Sequence, residues 1–163
     1  MNPYEGLAER IRGESIDLGR LVSKAVQVWN KSRNIPENQD IYLDSVAFNL
    51  QGFYSGLERI FETIARRVDQ NVPSGETWHR ELLNQMGREV AGVRPAVVSQ
   101  QSIITLDEFR KFRHLIRNVY SFSLVPEKID PLVSSVAAAW PQLRSELSAF
   151  ADYLLMLSTP KNV

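Results

Sequence analysis

Leu43-Asp44-Ser45-Val46-Ala47-Phe48-Asn49-Leu50-Gln51-Gly52-Phe53-Tyr54-Ser55-Gly56-Leu57-Glu58-Arg59-Ile60-Phe61-Glu62-Thr63-Ile64-Ala65-Arg66-Arg67-Val68 is the stretch on which the fold turns. Its apolar residues Leu43, Val46, Leu50, Phe53, Leu57, Ile60, Phe61, Ile64 and Val68 recur every three or four positions. That is the period of one helix face, and it excludes the two-residue alternation of a half-buried strand. The pattern predicts a helix from about Asp40 to Val68, with Tyr54 on its core side. Gly52 and Gly56 are its only helix breakers, so the expected element is a rod of ~40 Å at about 1.5 Å per residue.

The same period extends in both directions. Upstream, Leu7, Ile11, Leu18, Leu21, Val22, Val26 and Trp29 form a stripe that predicts a helix over most of Tyr4 to Arg33, with Gly13 as a point of interruption. Asn34-Ile35-Pro36-Glu37-Asn38 reads as the turn between the two. Downstream, Val72-Pro73-Ser74-Gly75 closes the long helix, and a shorter one from about Thr77 to Val90 turns Leu82, Leu83 and Met86 inward. Ala91 to Ser102, with Gly92, Pro95 and the β-branched Val93, Val97 and Val98, reads as an irregular loop. Thr105-Leu106-Asp107-Glu108 has the form of a capping box. The helix it would open carries Phe109, Phe112, Ile116 and Val119 inward and is expected to end near Phe122. Asp130-Pro131 reads as an N-cap followed by proline at the first helical position. The last helix turns Leu143, Leu147, Phe150 and Leu154 inward, and Pro141 is expected to kink or split it. With no alternating segment, no internal repeat and no low-complexity tract, the expectation is an all-α protein of long antiparallel helices joined by short turns and one longer loop.

Composition narrows the function. The chain has 163 residues, which suits a single domain spanning 1–163. Lys+Arg 19 balances Asp+Glu 19, so the whole molecule exerts no long-range pull on nucleic acid or anionic membrane. Any RNA binding must use a local patch. The absence of cysteine excludes disulfides and thiolate chemistry. Two histidines, His79 and His114, are too few for a histidine-rich metal site. No run approaches the ~18 apolar residues of a membrane span. Met1 to Gly13, with Glu5 and Glu9, lacks the apolar core of a signal peptide, so a cytoplasmic location is expected.

The best local anion site lies on the fourth helix, where four of the eight residues from Arg110 to Arg117 are Lys or Arg. With Phe112 at the centre of the buried face, Phe109, Ile116 and Val119 fall beside it. Arg110, Arg113, Arg117 and Tyr120 fall along one flank, and His114 and Asn118 on the far side, one turn apart. A solvated charged face has the same spacing. Arg113 at the edge of the core stripe is expected to contribute little packing. His79, beside Trp78 at the start of the third helix, has capping and packing as its first reading and a functional role as the lesser one. Glu62 and Arg66, one turn apart, are expected to form an ion pair.

Arg113-His114-Leu115-Ile116-Arg117-Asn118-Val119-Tyr120 resembles the R-x4-6-H-x-Y signature of the HEPN superfamily. The nearer likeness is to HepT-like toxins, the ribonuclease halves of toxin–antitoxin pairs whose antitoxin is a minimal nucleotidyltransferase. Tyr42-Leu43-Asp44-Ser45-Val46-Ala47, Gly56-Leu57-Glu58-Arg59-Ile60-Phe61, Pro73-Ser74-Gly75-Glu76-Thr77-Trp78-His79 and Phe112-Arg113-His114 are similar to blocks of a HepT-like subfamily, and the likeness covers most of residues 40 to 150. It implies a HEPN-like antiparallel bundle of about five helices that forms a homodimer, sets two motif helices face to face and cuts RNA in the shared cleft with no metal or other cofactor. It implies a cognate nucleotidyltransferase antitoxin and RNA as partners, and no membrane.

Residue by residue, the resemblance gives Arg113 the phosphate, with Arg110 and Arg117 as RNA-binding neighbours. It makes Tyr120 the candidate for AMP modification by the antitoxin, and Glu62 a supporting polar residue on the second helix. The position of the motif histidine holds Asn118. Asparagine donates and accepts hydrogen bonds but does not exchange a proton near pH 7. His114, one turn earlier on the same face, is the candidate replacement. Taken literally, the motif predicts a weakened nuclease. The alternatives are a non-catalytic helical dimer that binds a nucleotidyltransferase or RNA, and a plain helical adaptor.

Overall fold

The computed structural model describes residues 2–118, the last of them by its backbone, and 124–159. Among them are five α-helices: α1 (Pro3–Asn34), α2 (Gln39–Ile64), α3 (Trp78–Met86), α4 (Gln100–Asn118) and α5 (Pro126–Ser158). The all-α bundle is as the apolar periodicity predicts. Tyr120, Val119 and Phe122, which the sequence reading placed on the fourth helix, lie outside the described residues.

α2 is the central element and touches each of the other helices. The residues of its stripe, Leu43, Val46, Leu50, Phe53, Leu57, Ile60, Phe61 and Ile64, are all buried, as is Tyr54. α1 lies against α2 and α5 and runs antiparallel to both: Leu18 approaches Gly56 while Leu21 approaches Gly52, and Arg12 pairs with Asp152. Gly56 gives room for that approach, since a Cβ at that position would sit 2.8 Å from Leu18 Cδ2 and the leucine would have to shift. Gly13 meets no such neighbour and leaves α1 unbroken. Because α3 intervenes, α2 and α4 run side by side in the same sense, with Phe53 edge-on to Phe109 at 5.9 Å and Ser55 and Glu58 beside Arg113.

Four helix ends differ from the expectation. α3 stops at Met86, short of the predicted Val90, which instead pairs its backbone with Arg94. α2 closes through a single π turn, Ala65–Asp69, ended by Gln70 in the left-handed conformation at φ 54°. α4 begins at Gln100, five residues before the predicted capping box, so Thr105 is an interior helical residue. Ser99 is the cap: its hydroxyl accepts the Ser102 amide at 3.2 Å, and Glu146 of α5 accepts the Ser99 amide at 2.8 Å and the Ser102 hydroxyl. A carboxylate at a helix N-terminus also complements its dipole.

α5 begins at Pro126 and not at Pro131, and it continues through both Pro131 and Pro141. Pro141 removes the amide that would bond the Ala137 carbonyl. Both residues are on the exposed face, while Leu143, Leu147, Phe150 and Leu154 hold the opposite face in the core.

The segment between α3 and α4 is irregular but tied down. Met86 O accepts the amides of Val97 and Val98 at 2.9 and 3.2 Å, and both valines are buried. Arg94 anchors the rest. Its guanidinium makes a two-pronged pair with Asp69, at 2.6 and 2.7 Å, and donates to the carbonyls of Arg88, Pro95 and Gln85. The side chains of this pair are 0% and 2% exposed. The π turn therefore matters to the fold: it carries Asp69 to the one buried cation of this loop among the described residues.

Candidate active site

α2 and α4 meet along apolar residues, and at their edge the packing turns polar. Arg113 leaves the flank of α4 and reaches α2. Its Nε donates to Ser55 Oγ at 2.7 Å and its Nη1 to Glu58 Oε1 at 3.3 Å. Among the described residues these bonds engage two of the guanidinium's five N–H groups. The side chain is only 15% exposed. The expectation that Arg113 contributes little packing is therefore corrected: it is a half-buried ion-pair partner.

Glu58 is the hub. It is buried at 4% exposure, a position that a carboxylate occupies only with partners. Its Oε1 faces Arg113, and its Oε2 lies 2.7 Å from Nδ1 of His79, in the first turn of α3. The His79 ring stacks on Trp78 with centroids 3.6 Å apart and planes inclined by 29°. One carboxylate thus joins three helices and holds a guanidinium on one oxygen and an imidazole on the other. One turn before Glu58, the Tyr54 hydroxyl is buried with no hydrogen-bond partner among the described residues. Burial pushes its pKa well above the ordinary tyrosine value and the charge of Glu58 pushes it further, so the phenol stays neutral.

The other sequence candidates fall around this hub. Arg110 is held by Asp107, Nε to Oδ1 at 2.7 Å, and Lys111 approaches the same carboxylate at 3.3 Å. Burial alone would raise the Asp107 pKa, but the hydrogen bond and charge of Arg110, with Lys111, hold it below the usual carboxylate value. Two of the four cations of this helix segment are therefore locally compensated. His114 and Arg117 are exposed. Asn118 ends the described part of α4, one turn beyond His114.

Glu62 is not the α2 residue that touches Arg113. It faces Arg66 at 4.0 Å, the ion pair its spacing predicts. Glu58 and Ser55 were passed over in the sequence, although a signal was present: Glu58 stands four residues after Tyr54 and three before Phe61, inside the apolar stripe. A charge on a buried face requires a partner from elsewhere in the fold.

The arrangement offers a cation whose position is fixed by two side chains, beside an imidazole whose position is fixed by a carboxylate and a ring. Together they can hold a phosphate and move a proton. A protein-family model described as HepT-like protein matches residues 45–154, which include Ser55, Glu58, His79 and Arg113. No curated protein and no solved structure matches the chain.

Proposed function

The chain belongs to the HepT-like family of the HEPN superfamily, and from that premise we propose that it is a metal-independent endoribonuclease toxin acting on RNA. The observation that carries this reading is Arg113, a planar cation held by Ser55 and Glu58 at the edge where α2 and α4 meet. In the proposed reaction the RNA 2′-hydroxyl attacks the adjacent phosphate, and Arg113 stabilises the charge that develops on the phosphoryl oxygens. His114 and Asn118, one turn apart on α4, orient the reacting groups, and Arg117 and Arg110 bind the strand. A homodimer that pairs the two copies of α4 would double these groups in one cleft. The partner class is a minimal nucleotidyltransferase, with Tyr120 as its AMP acceptor. Glu62 supports α2 through Arg66 and not through Arg113.

The reading is tested on one single-stranded RNA of randomised sequence, in EDTA, with the parent chain, Asn118→His and His114→Ala. Asn118→His restores a proton-exchanging group at the motif position and is expected to raise cleavage about tenfold or more. His114→Ala is expected to slow cleavage by less than that. Loss of all cleavage on His114→Ala alone would move the proton chemistry to His114. Absence of cleavage by the parent and both variants, with partner binding retained, would leave the alternative of a non-catalytic helical dimer.

A further inference from the structure

We propose that His79 is the general base of this site, a catalytic residue that takes the proton of the attacking 2′-hydroxyl, with Glu58 as its positioning residue. The inference rests on the ribonuclease reading and names the group that reading lacks, since Asn118 cannot exchange a proton near pH 7.

Four observations carry it. The contact between Nδ1 and Glu58 Oε2, at 2.7 Å, puts the ring proton on Nδ1 and leaves the Nε2 lone pair as the acceptor. A carboxylate that orients an imidazole in this way is the arrangement by which a histidine is prepared as a base. The ring is also fixed on its face by Trp78, so its orientation is set from two sides. Yet its side chain remains 32% exposed, enough to meet a substrate. The last observation is placement. The same carboxylate holds Arg113 on its other oxygen, so the phosphate cation and the base flank one buried side chain. Attack by a 2′-hydroxyl on its own adjacent phosphate needs those two groups side by side.

The step balances as follows. Nε2 of the neutral ring takes the 2′-hydroxyl proton as the 2′-oxygen bonds to phosphorus. The bond from phosphorus to the 5′-oxygen breaks, leaving a 2′,3′-cyclic phosphate, and the departing oxygen takes a proton from water. The hydroxide formed removes the proton from the imidazolium, and the ring returns to its neutral form. Arg113 meets the phosphoryl charge throughout. A solely structural His79 would cap α3 and pair with Glu58 without any of this, so the test must read proton transfer and not only activity.

The test uses the full chain, randomised single-stranded RNA and EDTA, and compares the parent with His79→Gln, His79→Gly and Arg113→Ala, each checked for helix content by circular dichroism. His79→Gln keeps a hydrogen bond to Glu58 and is expected to cut roughly 10²- to 10⁴-fold more slowly. The parent rate is expected to show a limb that rises with pH with unit slope, and the residual rate of His79→Gln to lose that limb. Added imidazole is expected to restore His79→Gly about tenfold or more. His79→Gln cutting within about threefold of the parent, with Arg113→Ala inactive, would overturn the role of His79 and leave the ribonuclease reading standing. So would an inactive His79→Gly that imidazole fails to restore while the parent's pH profile persists in His79→Gln. A parent that does not cut overturns both.

Discussion

Arg113→Ala is expected to reduce RNA cleavage by at least about 10²-fold, the scale of removing one fixed donor from a developing oxyanion. The structure adds a second consequence. Among the described residues Arg113 is one of two groups that satisfy the buried Glu58, so its removal leaves a carboxylate at 4% exposure with His79 as its remaining partner among them. A cost of about 1–3 kcal/mol in stability is expected with it. The two effects are separated by Arg113→Lys, which keeps a cation near Glu58 but has no planar fork to hold Ser55, Glu58 and a phosphate together. Lysine is expected to recover most of the stability and little of the cleavage. Thermal unfolding and cleavage in EDTA, measured on the same preparations, check this. Full cleavage by a folded Arg113→Ala would contradict the site.

The largest expected loss of stability lies elsewhere, at Arg94. Its side chain is completely enclosed, and it holds Asp69, the Gln85 carbonyl of α3 and the carbonyls of Arg88 and Pro95 between α3 and α4. Arg94→Ala leaves the enclosed Asp69 carboxylate with Gln85 Nε2 and no cation, and breaking one side of a buried ion pair costs about 3–5 kcal/mol. For a chain of this size that corresponds to a fall in Tm of roughly 6–20 °C. The double change Arg94→Met with Asp69→Leu removes both charges and is expected to regain most of the loss. Calorimetry on the single and double variants distinguishes the two. A fall of less than about 2 °C in Arg94→Ala would show that this pair does not hold the loop.

What the sequence disclosed follows the range of the interactions involved. The α2 stripe was legible because burial repeats at the helix period within a few residues, and Leu43 to Ile64 are buried as that period requires. The true start of α4 was not, because its Ser99 cap is completed by Glu146 of α5, 47 residues along the chain. Thr105-Leu106-Asp107-Glu108 has the spacing of a cap, but Asp107 is used by Arg110 and Lys111 and the helix runs through it. Asp130-Pro131 misled in the same way, since Pro126 already satisfies the preference for proline in the first turn.

At the site, Arg113 was readable from its motif and its flank position. Its partners were not, because nothing local links residues 55 and 58 to 113. His79 was read as a capping residue for the same reason: Glu58, 21 residues before it, is visible as its partner only in the folded chain. A charged residue within an apolar stripe was the one warning available, and Glu58 answered to it.

The central claim is that this chain cuts RNA through the 2′-hydroxyl, without a metal ion. It is tested most directly by incubating the parent protein, in excess EDTA, with a randomised single strand made either as RNA or with every 2′-hydroxyl replaced by hydrogen, and by identifying the ends of any product. The account predicts that the RNA is cut to fragments ending in 2′,3′-cyclic phosphate and 5′-hydroxyl while the deoxy strand remains intact. Cleavage of both strands, or an RNA strand left intact by a folded protein, would contradict it.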